Sequence, residues 1–574
     1  MPAAVTRSLL VLLFLTWRLS AAAQAPSWQS ARAVAVATAA AASNDSRVNA
    51  TAVDAAGNVY VAGSFANTVA LGGITLVSLG SDDIFVAKFN PTTNQFLWAQ
   101  RAGSTSYDAA TALAVSGTNV YLTGFFNGLT AEFGSTTLIN TNTNTNFSTS
   151  DIFVTKLIDA GSIGSFAWAQ RAGGTGADYA SSLAVSGASV YVVGNFRGAT
   201  AGFGSTTLTN AGYINVFVAK ITDSGNTGSF VWAQQAGGSN NDEARALAVR
   251  GTSVYVAGRF ASPTATFGTI ALTNVSNSTG LADVFVAKLT DAGNTGSFVW
   301  AQRAGGTQYD EANSLVVSGT SVYVAGAFAS STASFGNAML TNTGSVTFDL
   351  FVAKLTDAGS TGSFTWAQRA GGTGGDFAYA LAVGGTSVYV AGIFDSATAD
   401  FGSATLSSTG TYDVYVAKLA DGGNAGNFVW AQRAGGIEDD EATALVLNGK
   451  SVYVAGSFGN PTAGFGTTIL TNPDPNTHLG FLASLTDATL TATTVAAGPR
   501  EPAVLFPNPA RRTATLRLST GMTFTPLVLT DALGQAVRYY PAPTGAEAVL
   551  DLQGLAAGLY LVRGAGLVQR LAVE

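Results

Sequence analysis

Val59-Tyr60-Val61-Ala62-Gly63-Ser64-Phe65 is a run of β-branched and aromatic residues interrupted by one glycine. Six later stretches repeat it, ending at Phe126, Phe196, Phe260, Phe328, Phe394 and Phe458. Its tyrosines, Tyr60, Tyr121, Tyr191, Tyr255, Tyr323, Tyr389 and Tyr453, stand 61 to 70 residues apart. A period of that length belongs to a chain that sets one supersecondary unit beside the next. The composition of the run is that of a buried strand.

Outward from Tyr323 the unit reads as four strands, at 313–317, 322–328, 350–355 and 364–368, separated by Ser-Gly-Thr-Ser turns and Asp-Ala-Gly-Ser-Thr-Gly loops. No stretch carries a helical period. Four antiparallel strands, apolar on both faces, suit a propeller blade, which packs against a neighbour on each side. Trp98, Trp168, Trp232, Trp300, Trp366 and Trp430 mark the fourth strand of six units. The seventh unit has a third strand at 480–485 and no tryptophan after it, while Trp28 stands unclaimed near the start. Assigning the Trp28 strand to the last unit closes the ring and removes its exposed edges. The expected fold class is all-β: a seven-bladed β-propeller of four-stranded blades over 24–487, a linker at 488–503, and a small C-terminal β-sandwich at 504–574.

Length varies chiefly between the second and third strands, in excursions carrying Phe-Gly pairs such as Phe133-Gly134, Phe203-Gly204 and Phe267-Gly268 among Ser, Thr and Asn. Variable surface loops on a fixed scaffold are where binding usually resides. The excursions share a face with the joints from each fourth strand to the next unit. That face is therefore the expected ligand face, with 127–152 and 261–284 as the favoured contacts.

The chain has a formal net charge of −7 and only 11% charged residues, with no basic run, which excludes a phosphate-neutralising nucleic-acid face. It contains no cysteine, so disulfides, thiolate catalysis and zinc–sulfur sites are excluded. Residues 1–23 read as a secretory signal peptide, with Arg7, an apolar run at 9–15 and Ala21-Ala22-Ala23 before the cut. No later segment reads as a transmembrane helix, so no integral membrane segment is expected in the mature chain.

The phrase Asp54-Ala55-Ala56-Gly57-Asn58-Val59-Tyr60-Val61-Ala62-Gly63, with the recurring Asp-Val-Phe-Val-Ala-Lys-Leu and Trp-Ala-Gln-Arg-Ala-Gly-Gly, resembles the bacterial seven-bladed β-propeller repeat (SBBP) family over about 26–487. The resemblance implies a fold rather than a shared activity. From Leu505 the chain changes character, with alternating strands expected at 514–518, 527–530, 548–552, 559–562 and 567–573. Pro507-Asn508-Pro509, Asp531-Ala532-Leu533-Gly534-Gln535, Leu555-Ala556-Ala557-Gly558-Leu559-Tyr560 and the ending Val568-Gln569-Arg570-Leu571-Ala572-Val573 resemble the type A C-terminal sorting domain of the type IX secretion system. The resemblance makes Pro507, Asn508, Pro509, Gly534, Gly558, Tyr560, Leu571 and Val573 the sorting-signal residues and the type IX machinery a partner. It implies export to the surface or surroundings of a Gram-negative cell, with the tail as a removable address.

Chemistry is harder to find. Asp108, Asp178, Asp242, Asp310, Asp376 and Asp440 recur five residues before the first-strand leucine and seven after Arg101, Arg171, Gln235, Arg303, Arg369 and Arg433, with Arg47 placed at the equivalent position of the first unit. Such a ring of acids could bind cations, but repetition of a bracing pair generates it equally well. The loops beginning at Asp223 and Asp291 lack the alternating ligands of a calcium loop and read as turns. Lys88, Lys156, Lys220, Lys288, Lys354 and Lys418 on third strands are expected to extend to the blade rim. The innermost segments, such as 114–115, 184–185 and 248–249, carry no carboxylate, and the single histidine, His478, reads as a solvated loop residue. No catalytic residue, metal ligand or cofactor is assigned, and no ligand-binding residue is singled out. The expectation is a secreted or cell-surface binding or adhesion module for an extracellular glycan or protein. The alternatives are an extracellular lyase or glycosidase and a purely structural surface protein.

Overall fold

The computed structural model describes residues 25–37, 45–142, 149–276, 280–344, 347–459, 461–472, 474, 477–490, 504–517, 526–531, 535–543, 547–564 and 567–574. Residues 1–23, expected to be a signal peptide, Gly534, and residues 491–503 of the expected linker lie outside them. Among the described residues the chain is all strand, with no helix, and hence none long and apolar enough to cross a membrane.

Seven antiparallel four-strand units follow one another; excursion hairpins extend two of their sheets to six strands, and Val36–Ala37 extends a third to five. The fourth, built from Asp242–Arg250, Ser253–Phe260, Asp283–Asp291 and Gly296–Ala304, shows the pattern, each strand pairing with the next in sequence. The first strand of every sheet packs against the first strand of the next, and Ser46–Val53 of the first sheet against Asp440–Asn448 of the seventh, so the array closes into a propeller-like ring. In the seventh sheet the outer strand comes from the other end of the chain: Trp28–Val34 runs antiparallel to Leu479–Thr486. The core is correspondingly divided into slabs between neighbours. Tyr255 and Val286 of the fourth sheet, for example, bury against Leu315, Val324 and Phe351 of the fifth. Across the seam Tyr453, Ala455 and Leu482 bury against Val48, Val61 and Phe85. Both faces of each sheet are apolar because both are covered.

The heptapeptide's glycine has a steric cause. A Cβ at Gly258 would lie 2.0 Å from the carbonyl oxygen of Glu243, so the second strand can approach the first only without a side chain there. Beside it the first strand bulges, between Ala244 and Ala246, and the same irregularity recurs in all seven sheets. The extra residue of such a bulge is re-aimed out of the ladder. Here it reaches the next sheet: Asn49 Nδ2 donates to Ala110 O (2.9 Å), Thr111 Oγ1 to Ala180 O (2.7 Å), Asn313 Nδ2 to Ala378 O (3.2 Å) and Thr443 Oγ1 to Val48 O (2.5 Å).

The excursions are not open loops. In sheets two to seven each folds into a short hairpin, such as Thr200–Phe203 with Thr206–Thr209, and that hairpin pairs with the fourth strand of the preceding sheet at Gly173 and Gly174. The phenylalanines Phe133, Phe203, Phe267, Phe335, Phe401 and Phe465 are all buried, packed on the third strand of their own sheet, as Phe203 is on Phe217 at 4.8 Å. They seal the hairpins and are closed to a ligand. Parts of the two excursions favoured as contacts, 143–148 and 277–279, lie outside the described residues.

In the tail, a three-stranded sheet (Val504–Phe506, Thr513–Arg517, Glu547–Asp551) and a four-stranded one (Leu527–Thr530, Ala536–Tyr540, Gly558–Gly564, Leu567–Val573) share one core that includes Leu516, Leu529, Leu550, Val562 and Leu571. The strands at 504–506 and 536–540 were not legible as strands in the sequence.

Candidate functional site

The two ends of the sheets carry different chemistry. At the end where third strands turn into fourth, the Asp-Ala-Gly loops do more than turn. Asp291 Oδ1 caps Gly293 N (2.9 Å), the expected turn bond, but its carboxylate also reaches into the preceding sheet. Oδ2 accepts from Lys220 Nζ and Tyr191 OH, both at 2.6 Å, and Oδ1 from Trp232 Nε1 at 3.0 Å. The same lysine–aspartate bond joins Lys88 to Asp159, Lys156 to Asp223, Lys288 to Asp357, Lys354 to Asp421 and Lys418 to Asp487. The six lysines are therefore buried inter-sheet clasps and do not extend to the rim. The register explains the error: Lys220 pairs across the ladder with Tyr191 on one side and Trp232 on the other, so all three point into one slab. Burial alone would push the Asp291 carboxyl up; the bonds from Lys220, Tyr191 and Trp232 outweigh it and hold the group below the usual carboxylate range. Tyr191 is pushed up by burial and by its acid partner.

At the opposite end, where each fourth strand passes to the next sheet, the recurring aspartates sit under the joints. Asp310 is fully buried; its Oδ2 accepts from Gly306 N (2.7 Å) and Ser330 Oγ (2.8 Å), and its Oδ1 from Ser330 N (3.2 Å). Beside it lies Asp283, from the third strand of the preceding sheet, whose Oδ2 accepts from Arg303 Nη1 at 3.0 Å. Gly305, at φ 127°, lies against both: a Cβ there would lie 2.6 Å from both Asp283 Oδ1 and Asp310 Oδ2. Equivalent pairs are Asp83–Asp108, Asp151–Asp178, Asp349–Asp376 and Asp413–Asp440, beside Gly103, Gly173, Gly371 and Gly435. The expected bracing partner of the ring acids thus differs from the sequence reading, since the arginines hold the third-strand aspartates. The first sheet departs from the ring through Ser46, which takes the register position opposite Phe65; Arg47 is one residue further on. Burial pushes Asp108, Asp178, Asp310 and Asp440 up to about 7 and Asp376 to about 6. Among the described residues no three His, Asp or Glu side chains come together as a metal site.

The residue after each ring position is where the repeats differ: Arg47, Ala109, Tyr179, Glu243, Glu311, Phe377 and Glu441. The first strands begin earlier than the sequence reading placed them, so they do carry carboxylates. Glu243 Oε1 accepts from Arg259 Nη2 (2.6 Å) and Glu311 Oε2 from Arg259 Nη1 (3.1 Å), while Arg245 Nη2 lies 3.5 and 3.3 Å from the same two acids. On one side of this charged net Arg259 lies over the Tyr309 ring at 4.9 Å, and a ladder continues through Phe348 and Phe377 to Tyr379. A second ladder runs from Tyr107 through Phe125 to Tyr179 at 5.5 and 5.0 Å, its two tyrosines exposed. His478 is half-buried at the seam on this same end, with Nδ1 3.0 Å from Arg47 Nη2; burial and Arg47 push its pKa down. Only comparison of the repeats position by position could have found this patch in the sequence.

In the tail the Pro-Asn-Pro motif grips the last strand. Asn508 Nδ2 donates to Arg570 O (2.8 Å) and its Oδ1 accepts from Ala572 N (2.9 Å), while Tyr560 OH donates to Ala556 O (2.8 Å). Leu571 and Val573 face the core, and Gly558 opens the strand that pairs with them.

Residues 504–567 match the family model of the secretion system C-terminal sorting domain. The chain carries a type IX sorting tail, which makes the type IX secretion machinery a partner and marks the protein as secreted. No curated protein matches the sequence. Among solved structures, a europium-containing methanol dehydrogenase overlaps at TM-score 0.35 and 11% identity, covering 80% of this chain and 93% of that one. The phage phi92 endosialidase overlaps at 0.33 and 8%, covering 94% and 87%, and the computationally designed Ika8 protein at 0.30 and 13%, covering 79% and 99%. Neither fold nor activity is carried over from overlaps this loose.

Proposed function

We propose that the ring is a seven-bladed β-propeller of the SBBP type, that the tail is a β-sandwich address, and that the exported protein is a binding or adhesion module whose ligand meets the joint end. One observation carries this reading. Where Asp, Ala and Leu recur in the first strands of sheets two to seven, the residue after the ring position does not, and its variants build a charged net with one aromatic ladder and contribute Tyr179 to a second. The scaffold needs no variation there, so the variation serves something outside it. Binding is favoured over hydrolysis because the two nearest acids, Glu243 and Glu311, are both engaged by Arg245 and Arg259.

The test is a glycan-array and cell-surface binding screen with the full chain, followed by Tyr179→Ala combined with Phe125→Ala. Binding should fall at least tenfold with the melting temperature nearly unchanged, because surface changes outside a packed core usually cost about 0.5 kcal/mol or less. Binding that survives this change, and falls only when the Asp-Ala-Gly loops of the opposite end are altered, refutes the reading.

A further inference from the structure

We propose that each of the five Asp–Asp pairs beneath the joints holds one proton on the acid side of neutrality, shared from the first-strand acid to the free oxygen of the third-strand aspartate, and that its loss loosens the joint end.

The geometry comes first. Asp83, Asp151, Asp283, Asp349 and Asp413 are fully buried, each spends one oxygen on its arginine, and in each Oδ1 is buried without a hydrogen-bond partner. That oxygen and an oxygen of the first-strand acid both crowd the place where the glycine's Cβ would stand, each within 2.9 Å of it. A buried acceptor left without a donor is costly, and two buried like charges cannot both persist. One proton removes the like charge and serves the free oxygen of the third-strand aspartate, although Oδ1 of Asp376 and of Asp440 is buried without a partner as well. Burial, then the neighbouring carboxylate, accounts for the raised Asp310.

A metal ion would fit the charge but not the surroundings. Backbone N–H groups of the joint, such as Gly306 N, point at the pair, and an arginine stands 2.8 to 3.1 Å from the other oxygen of each third-strand aspartate. Both repel a cation. The remaining groups facing the pairs are few: Asp82 and Glu132 beside the first, Asp395, Tyr412 and Tyr415 beside Asp376, and Asp439 beside Asp440.

The molecule contains its own control. Under the joint into the fourth sheet, Asn215 replaces the third-strand aspartate and Gln235 the arginine, together, while Asp242 is kept. Asn is the neutral isostere of a protonated Asp, and an amide can donate where the acid would. The coupled exchange shows that arginine and third-strand aspartate form one charge unit, leaving the first-strand acid to be neutralised by other means.

The experiment compares the full chain with Asp283→Asn/Arg303→Gln, which copies the joint that already exists in the molecule. Infrared spectra should show protonated carboxyl on the acid side of neutrality that disappears by about pH 9, and the variant should lose one pair's share of it. Amide exchange at Gly305 and Gly306 should accelerate over that range beyond the acceleration at Gly293 of the opposite end, and the variant should abolish the excess. Absence of protonated carboxyl on the acid side of neutrality, or a signal unchanged in the variant, overturns the proposal. So does a melting temperature that drops with a chelator and returns with calcium. Should the variant fail to fold, the spectrum of the unaltered chain decides alone. None of these readouts involves a ligand, so the outcome is independent of the binding function.

Discussion

The two ends of the sheets solve one problem in opposite ways. Each must join neighbours through buried carboxylates. At the clasp end Asp291 is offered a full cation and three further donors, and it stays ionised. At the joint end Asp310 is offered hydroxyl and amide donors and another acid, and it resists ionisation. Composition does not distinguish them, since both are aspartates at the edge of a strand; what differs is whether the preceding sheet supplies Lys or Asp. The seam between the seventh sheet and the first has neither device. Ser484 stands where the lysine would be, paired with Tyr453, and Leu479 and Ser46 take the register positions of the acid pair. That junction keeps the shared core and the Thr443 and Asn448 bonds to Val48 O and Gly57 O, and the returning strand completes the seventh sheet beside it.

The largest effect should therefore follow removal of that strand. Deleting residues 28–34 uncovers the edge of Leu479–Thr486 and strips Phe465 of the Trp28 ring, 5.3 Å away. An exposed apolar edge pairs with other chains, so the expected outcome is loss of cooperative unfolding and of monomer by size-exclusion chromatography. An unchanged melt and elution volume would mean the ring does not depend on this closure.

Next is the clasp itself. Asp291→Ala leaves Lys220 charged and buried, with Tyr191 and Trp232 also without their acceptor. Breaking a buried ion pair from one side costs about 3–5 kcal/mol, which urea unfolding measures directly. A cost below about 1 kcal/mol would place the clasp among ordinary surface pairs.

The opposite ionisation behaviour separates the ends by pH. Clasp acids have depressed values, to about 2 at Asp487, so their contribution is present above the ordinary carboxylate range and disappears as pH falls through that value. Joint-end acids are raised to about 6 or 7, so the folded state holds protons the unfolded chain has already released, and stability declines as pH rises from about 4 toward 7. The denaturation midpoint should then be highest on the mildly acidic side, with Asp487→Asn lowering it throughout the range above the ordinary carboxylate values and converging with the unaltered chain as pH falls toward about 2. A midpoint that rises steadily from pH 5 to pH 8 contradicts the joint-end half of the comparison.

The sequence made the strands legible because they repeat, and it made the closing strand legible because Trp28 had no unit of its own. The clasp was hidden for a physical reason. Lys220 lies 71 residues from Asp291, and in a repeating chain each third-strand lysine has an aspartate 67 to 71 residues further on, so spacing alone cannot tell a bond from a coincidence. The joint-end patch was hidden because its residues are the exceptions to the pattern that reveals the fold: Glu243 and Phe377 occupy the same position and share no chemistry. In the tail, Pro507-Asn508-Pro509 was legible as a motif, but its grip on the strand at Arg570 and Ala572 required the register.

The smallest effect tests the seam at its clasp end. There Arg32, on the returning strand, bonds the side chain and carbonyl of Asn94 in the first sheet and lies 4.1 Å from the centre of the Phe89 ring. It stands in for the clasp with weaker means: the partner is a neutral amide, the hydrogen bonds are exposed, and the ring contributes through its face. A cation–π contact at such a site is worth about 0.5–1 kcal/mol, so Arg32→Ala should lower stability by about that much, several-fold less than Asp291→Ala. The local consequence should be larger than the global one. Among the described residues no buried ion pair crosses the seam, so less holds the returning strand in place, and amide exchange in the strand Trp28–Val34 should exceed that in Gly296–Ala304, its equivalent in a clasped sheet. Arg32→Ala should widen that gap without changing exchange in Gly296–Ala304. Equal protection in the two strands would show that the seam, though built differently, is as tightly held as the six clasped interfaces.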